Sequence, residues 1–94
     1  MLRPECIEAY RDFHREVWPE LEDLYRSCGV VNLSCFLHGR ELAVYLEVDE
    51  GAFQASCAYL TAHPVERRWQ AAMQELNEDK AAVDEFSEVY RLPP

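Results

Sequence analysis

Apolar positions set the first elements. Ile7, Tyr10, Phe13 with His14, and Val17 recur at three- and four-residue steps, the period of one helical face. Pro4 and Glu5 suit an opening turn, where proline loses no hydrogen bond and a carboxylate meets the positive end of the dipole. Pro19 interrupts the pattern, and the residue before a proline is pushed out of the α region, so Trp18 marks a break. A second helix restarts at Pro19, with Glu20 and Glu22 in its first turn and Leu21, Leu24 and Tyr25 on its face; Gly29 is its left-handed stop. The spacing predicts two tandem helices, over 4–17 and 19–28.

The period then changes. Val31, Leu33, Cys35 and Leu37 alternate with Asn32, Ser34 and Phe36, as in a strand with one buried face, and 42–48 reads as a second strand. His38-Gly39-Arg40 between them makes a hairpin turn. Asp49 is an N-cap for a helix with Phe53, Cys57 and Leu60 on one face, and Pro64 opens another with Val65, Trp69, Ala72/Met73 and Leu76 on its stripe. The acidic stretch 75–84 reads as a solvated helix end or loop, and 85–92 alternates as a final strand. Helix–helix, hairpin, helix–helix, strand is an α+β order: one antiparallel sheet with helices on one face. The other face, left bare, needs a cover, and a second copy of the chain is the simplest one.

Ninety-four residues form one domain, 1–94. Eighteen acidic against nine basic side chains give a formal charge of −9, which disfavours nucleic acid and anionic membranes as partners. No apolar run approaches the roughly 20 residues of a membrane span, and the first residues do not read as a signal peptide, so the expected compartment is the cytoplasm. There cysteines stay reduced, and Cys6, Cys28, Cys35 and Cys57 are expected as packing or surface thiols, with no metal site.

Chemistry has few places to sit. Tyr10 and His14, four apart on one helix, project from the same face, and imidazole is the side chain that titrates nearest neutrality. The same spacing also fits a histidine that fills the helix–sheet interface. Trp69, flanked by Arg67, Arg68 and Gln70, has the composition of a sugar-pocket wall, and it is equally in phase to be core with Val65 and Met73. His38 and His63 suit turn and cap roles. Phosphate loops, a nucleophile elbow and a carboxylate dyad are missing from the sequence.

The run Glu8-Ala9-Tyr10-Arg11-Asp12-Phe13-His14-Arg15-Glu16-Val17-Trp18-Pro19-Glu20-Leu21 resembles the YxxxH…(V/I)WPE(L/I) signature of L-rhamnose mutarotases. The likeness continues through 29–32, 46–48, Arg68-Trp69 and 89–93, nearly the whole chain. It implies a ferredoxin-like unit of a dimeric α/β barrel that interconverts α and β anomers of L-rhamnose, or a related 6-deoxy sugar, with no metal or cofactor. It makes His14 the proton donor and catalytic residue, Tyr10 a sugar-binding residue and Trp69 a pocket wall. Leu33 and Gln70, as possible pocket lining, stand where the family has a tyrosine and a second tryptophan. The family's first strand has no counterpart before Pro4, so the chain is either shortened at this end, rearranged, or completed by a partner's strand. Two other readings remain open at this stage: a degenerate sugar-binding or dimerising member of the same fold, and a cofactor-free oxygenase or dehydratase of the same dimer type.

Overall fold

A 3₁₀ turn at Pro4–Cys6 leads into α1 (Ile7–Arg15). The helix ends at Arg15 rather than Val17, because Glu16 leaves helical geometry (φ −136°, ψ 67°) and Trp18 is extended (φ −58°, ψ 124°) as its proline neighbour demands. Helix α2 (Pro19–Ser27) follows and stops at Cys28 and Gly29. The computed structural model describes residues 1–78, 87 and 89–93.

Gly29 has φ +90°, and a Cβ there would lie 2.8 Å from the Phe53 backbone nitrogen and 2.9 Å from the Ala52 Cβ. Its carbonyl accepts the Asp49 N–H at 2.8 Å, tying the end of α2 to the start of the next helix. Left-handed strain and overpacking therefore coincide. Gly29→Ala is expected to destabilise the fold by about 2 kcal/mol or more, seen as a lower urea midpoint with an unchanged slope.

Strands β1 (Val30–His38) and β2 (Glu41–Val48) pair antiparallel, with Cys35 opposite Val44 and Leu37 opposite Leu42. Gly39 (φ +61°) and Arg40 form the two-residue turn. The expected buried face of β1 is only partly realised. A register shift between Val30 and Asn32 marks a bulge at Val31, which is 70% exposed, and Leu33 and Cys35 are exposed as well, leaving Leu37 as the residue of this face that packs against the helices. Helix α3 (Glu50–Ala62) is capped by Asp49, whose Oδ1 accepts the Ala52 N–H at 3.0 Å. Helix α4 (Pro64–Glu75) is capped by His63, whose Nδ1 accepts the Val65 N–H at 3.1 Å. Both caps stand where the sequence places them.

Leu21, Leu24, Cys28, Leu60, Val65 and Trp69 make one buried cluster, joined by half-buried Phe13, Trp18 and Phe53. A second cluster unites Leu2, Tyr10 and Leu76, with Leu37 and Leu42 of the hairpin packed against it; Met73 touches both. The fold is thus α+β, with helices against one face of an antiparallel pair, and it is compatible with a ferredoxin-like unit. Among the described residues no helix is long and apolar enough to cross a membrane.

The first three residues have a structural role that their brevity hides. Leu2 is fully buried and forms an isolated antiparallel bridge to Asn77. Its N–H donates to the Arg40 carbonyl at 2.9 Å, and Arg40 Nε donates back to the Leu2 carbonyl at 2.8 Å. The Arg40 guanidinium also pairs with Glu78, so hairpin turn, N-terminus and the end of α4 are fastened at one point. Of the strand expected over 85–92, residues 85, 86 and 88 lie outside the described residues. Residues 87 and 89–92 take no strand conformation, and Val89, Tyr90 and Leu92 are exposed. A strand needs a partner for its backbone groups, and the described sheet has only two strands, paired with each other.

Candidate active site

Helix α1 sets Tyr10 and His14 one turn apart, and their rings stack with centroids 4.2 Å apart at 30°. His14 Nδ1–H donates to the Tyr10 carbonyl oxygen at 2.8 Å, since a carbonyl can only accept. That bond commits Nδ1 to the helix and leaves Nε2 as the nitrogen able to exchange a proton with anything outside it. Trp69, on α4, meets the His14 ring edge-on at 5.3 Å and fixes its other side.

Beside this pair lies a hollow of about 420 Å³ lined by Tyr10, Arg11, His14 and Arg15 of α1 and by Cys35 and Leu37 of β1. It is a shallow depression, open to solvent on its outer side. Tyr10 is buried beside the Cys35 thiol; burial first, then the thiol, push its hydroxyl up to about 12. Burial likewise raises the Cys35 thiol above its ordinary value. Both therefore keep their protons at neutral pH. The Tyr10 shift also carries a stability consequence. A group that binds its proton more tightly when folded contributes stability below its unfolded pKa and loses it as pH rises through the folded one. Melting temperature should fall between about pH 10 and 12, and Tyr10→Phe should flatten that part of the curve relative to wild type.

Similarity to known proteins bears directly on this site. The family model described as L-rhamnose mutarotase matches residues 1–92. The L-rhamnose mutarotase of Jannaschia sp. (strain CCS1) is 35% identical over 98% of this chain and 91% of its own. That of Verminephrobacter eiseniae is 35% identical over 80% and 70%, and that of Brucella anthropi 31% over 98% and 90%. The chain belongs to the L-rhamnose mutarotase family. The α1 run that resembles the family signature is the run that forms one wall of the hollow.

The remaining sequence-derived residues are placed differently. Trp69 is 7% exposed, sits in the larger core cluster, and meets Phe13 at 5.8 Å and Trp18 at 5.2 Å; it backs His14 and does not line the hollow. Its in-phase position with Val65 and Met73 put it on the core stripe. Leu33 shares the sheet face of Cys35 and Leu37 but lies further along β1, where it is 40% exposed and outside the hollow. Gln70 follows Trp69 on α4, and one helical step carries it to a different depression, between α3 and α4. There Gln70 donates to Glu66 at 2.8 Å, and the Tyr25 hydroxyl donates to the same carboxylate at 2.5 Å.

Four lining residues, Arg11, Arg15, Cys35 and Leu37, were not singled out by sequence. Cys35 and Leu37 could have been found, because strand alternation puts them on the helix side. Arg11 and Arg15 carry no such signal, since a helical arginine is ordinarily a solvated one.

Proposed function

We propose that this chain interconverts the α and β anomers of L-rhamnose, or of a related 6-deoxy sugar, in the hollow beside His14. The observation that carries the reading is the His14 imidazole: half-buried on the wall of the hollow, held by Nδ1 to the Tyr10 carbonyl, and backed by Trp69, with Nε2 uncommitted.

Ring opening of a hemiacetal needs a proton delivered to the ring oxygen and one removed from the anomeric hydroxyl; closure on the other face reverses both. As imidazolium, His14 delivers the Nε2 proton to the ring oxygen. Tyr10 and Cys35 hold their protons at neutral pH, and Arg11, Arg15 and Leu37 offer no basic lone pair, so water takes the anomeric proton. The Tyr10 hydroxyl binds a sugar hydroxyl, and Leu37 gives the 6-methyl group an apolar neighbour. Trp69 acts through His14 by fixing the ring, and neither metal nor cofactor enters the scheme. Leu33 and Gln70 lie outside the hollow and take no part in this scheme.

The working unit in this reading is a cytoplasmic homodimer. On the sheet face that also carries Cys35, Val44 (63% exposed), Leu46 (47%) and Leu33 (40%) form an apolar strip that the helices leave open, and a strip of this kind is what a second copy would cover.

One-dimensional NMR saturation transfer between the anomeric resonances of L-rhamnose tests the activity. Exchange well above the buffer rate supports the reading; exchange equal to buffer for L-rhamnose and related 6-deoxy sugars removes it.

A further inference from the structure

The lining of the hollow has a charge opposite to that of the molecule. The chain carries eighteen acidic and nine basic side chains. Yet the six residues around the hollow include two arginines and a histidine and not one carboxylate. Arg15 is already engaged, by Asp12 on the same helix and by Glu8 at 3.8 Å. Arg11 is different: among the described residues it makes no ion pair and no side-chain hydrogen bond. It precedes His14 by three positions, so the two side chains are neighbours on the helix surface. The opposite wall, Cys35 and Leu37, is neutral.

From this we infer that the site accepts reducing sugars that carry an anionic group, a carboxylate or a phosphate, and that the Arg11 guanidinium is the residue that selects for it. The inference rests on the hollow being the sugar site. A guanidinium presents a planar fork of donors that matches either anion in two parallel hydrogen bonds, and such charge-assisted bonds are about twice as strong as neutral ones. With Arg15 held by Asp12 and Glu8, the Arg11 guanidinium is the unpaired charge on this wall, and its attraction for an anion is local. A neutral deoxy sugar uses none of this; its hydroxyls are served by Tyr10 and its ring oxygen by His14. Arg11 thus distinguishes substrates without taking part in the proton transfers.

Anomer exchange measured by saturation transfer on three sugars tests the idea: L-rhamnose, D-galacturonate and D-glucose 6-phosphate, with wild type, Arg11→Gln and Arg11→Lys. The expected result is that wild type accelerates at least one anionic sugar above buffer, and which one responds tells carboxylate from phosphate. In Arg11→Gln the ratio of anionic to neutral exchange should fall roughly tenfold or more, and Arg11→Lys should recover part of it. Raising the salt concentration should lower anionic exchange more than neutral exchange. If wild type exchanges L-rhamnose but neither anionic sugar, or if the ratio is unchanged in Arg11→Gln, the inference is overturned while the mutarotase reading stands. Exchange of no sugar at all removes both.

Discussion

His14→Ala is expected to slow catalysed anomer exchange by about 10²–10⁴-fold, the worth of one positioned proton transfer, while leaving the fold in place. The fold should survive because His14 is half-buried and belongs to neither buried cluster. What is lost is the Nε2 proton carrier, and nothing else on the hollow wall replaces it at neutral pH: Tyr10 and Cys35 stay protonated, and the arginines stay charged. Circular dichroism and the urea midpoint should therefore stay near wild type while exchange drops to the buffer level. A His14→Ala protein that keeps the wild-type rate would show that the acid lies elsewhere.

Trp69→Ala should have the largest effect on stability, about 3–5 kcal/mol, because a buried indole leaves a cavity that the neighbours fill only in part. For a domain of this size that is a large share of the roughly 5–15 kcal/mol available, and a melting-temperature loss of about 12 °C or more. Phe13, Trp18 and His14 each meet the indole edge-on, so all three lose a partner together. Trp69→Phe should recover much of the stability. Exchange per folded molecule should also fall in Trp69→Ala, since His14 would no longer be backed. A destabilisation under about 1 kcal/mol would mean that the ring is not core and is free to face a ligand.

Legibility followed the physics of each signal. Helix caps, the proline break at Trp18 and the hairpin turn at Gly39 are local, set by residues within a few positions, and each is found where the sequence places it. The ends that needed distant partners were not readable. Leu2 looks like a frayed terminus until Asn77 and Arg40 arrive beside it. The bulge at Val31 depends on how β1 meets Val48 and Glu47 across the sheet, and strict alternation cannot supply it. The site divides in the same way. Tyr10 and His14 share one helix, and their spacing alone puts them together. Trp69 and Gln70 are neighbours in sequence but lie on different sides of α4, so adjacency in the chain was no guide to a shared pocket. Cys35 reaches Tyr10 only because the hairpin packs against α1.

A crystal structure of the protein soaked with L-rhamnose would show where the sugar sits. The expected result is a pyranose in the hollow between α1 and β1, its ring oxygen about 2.6–3.2 Å from His14 Nε2 and a hydroxyl on Tyr10. Sugar seated in the depression that holds Gln70, with the imidazole of His14 touching no ligand atom, would contradict it.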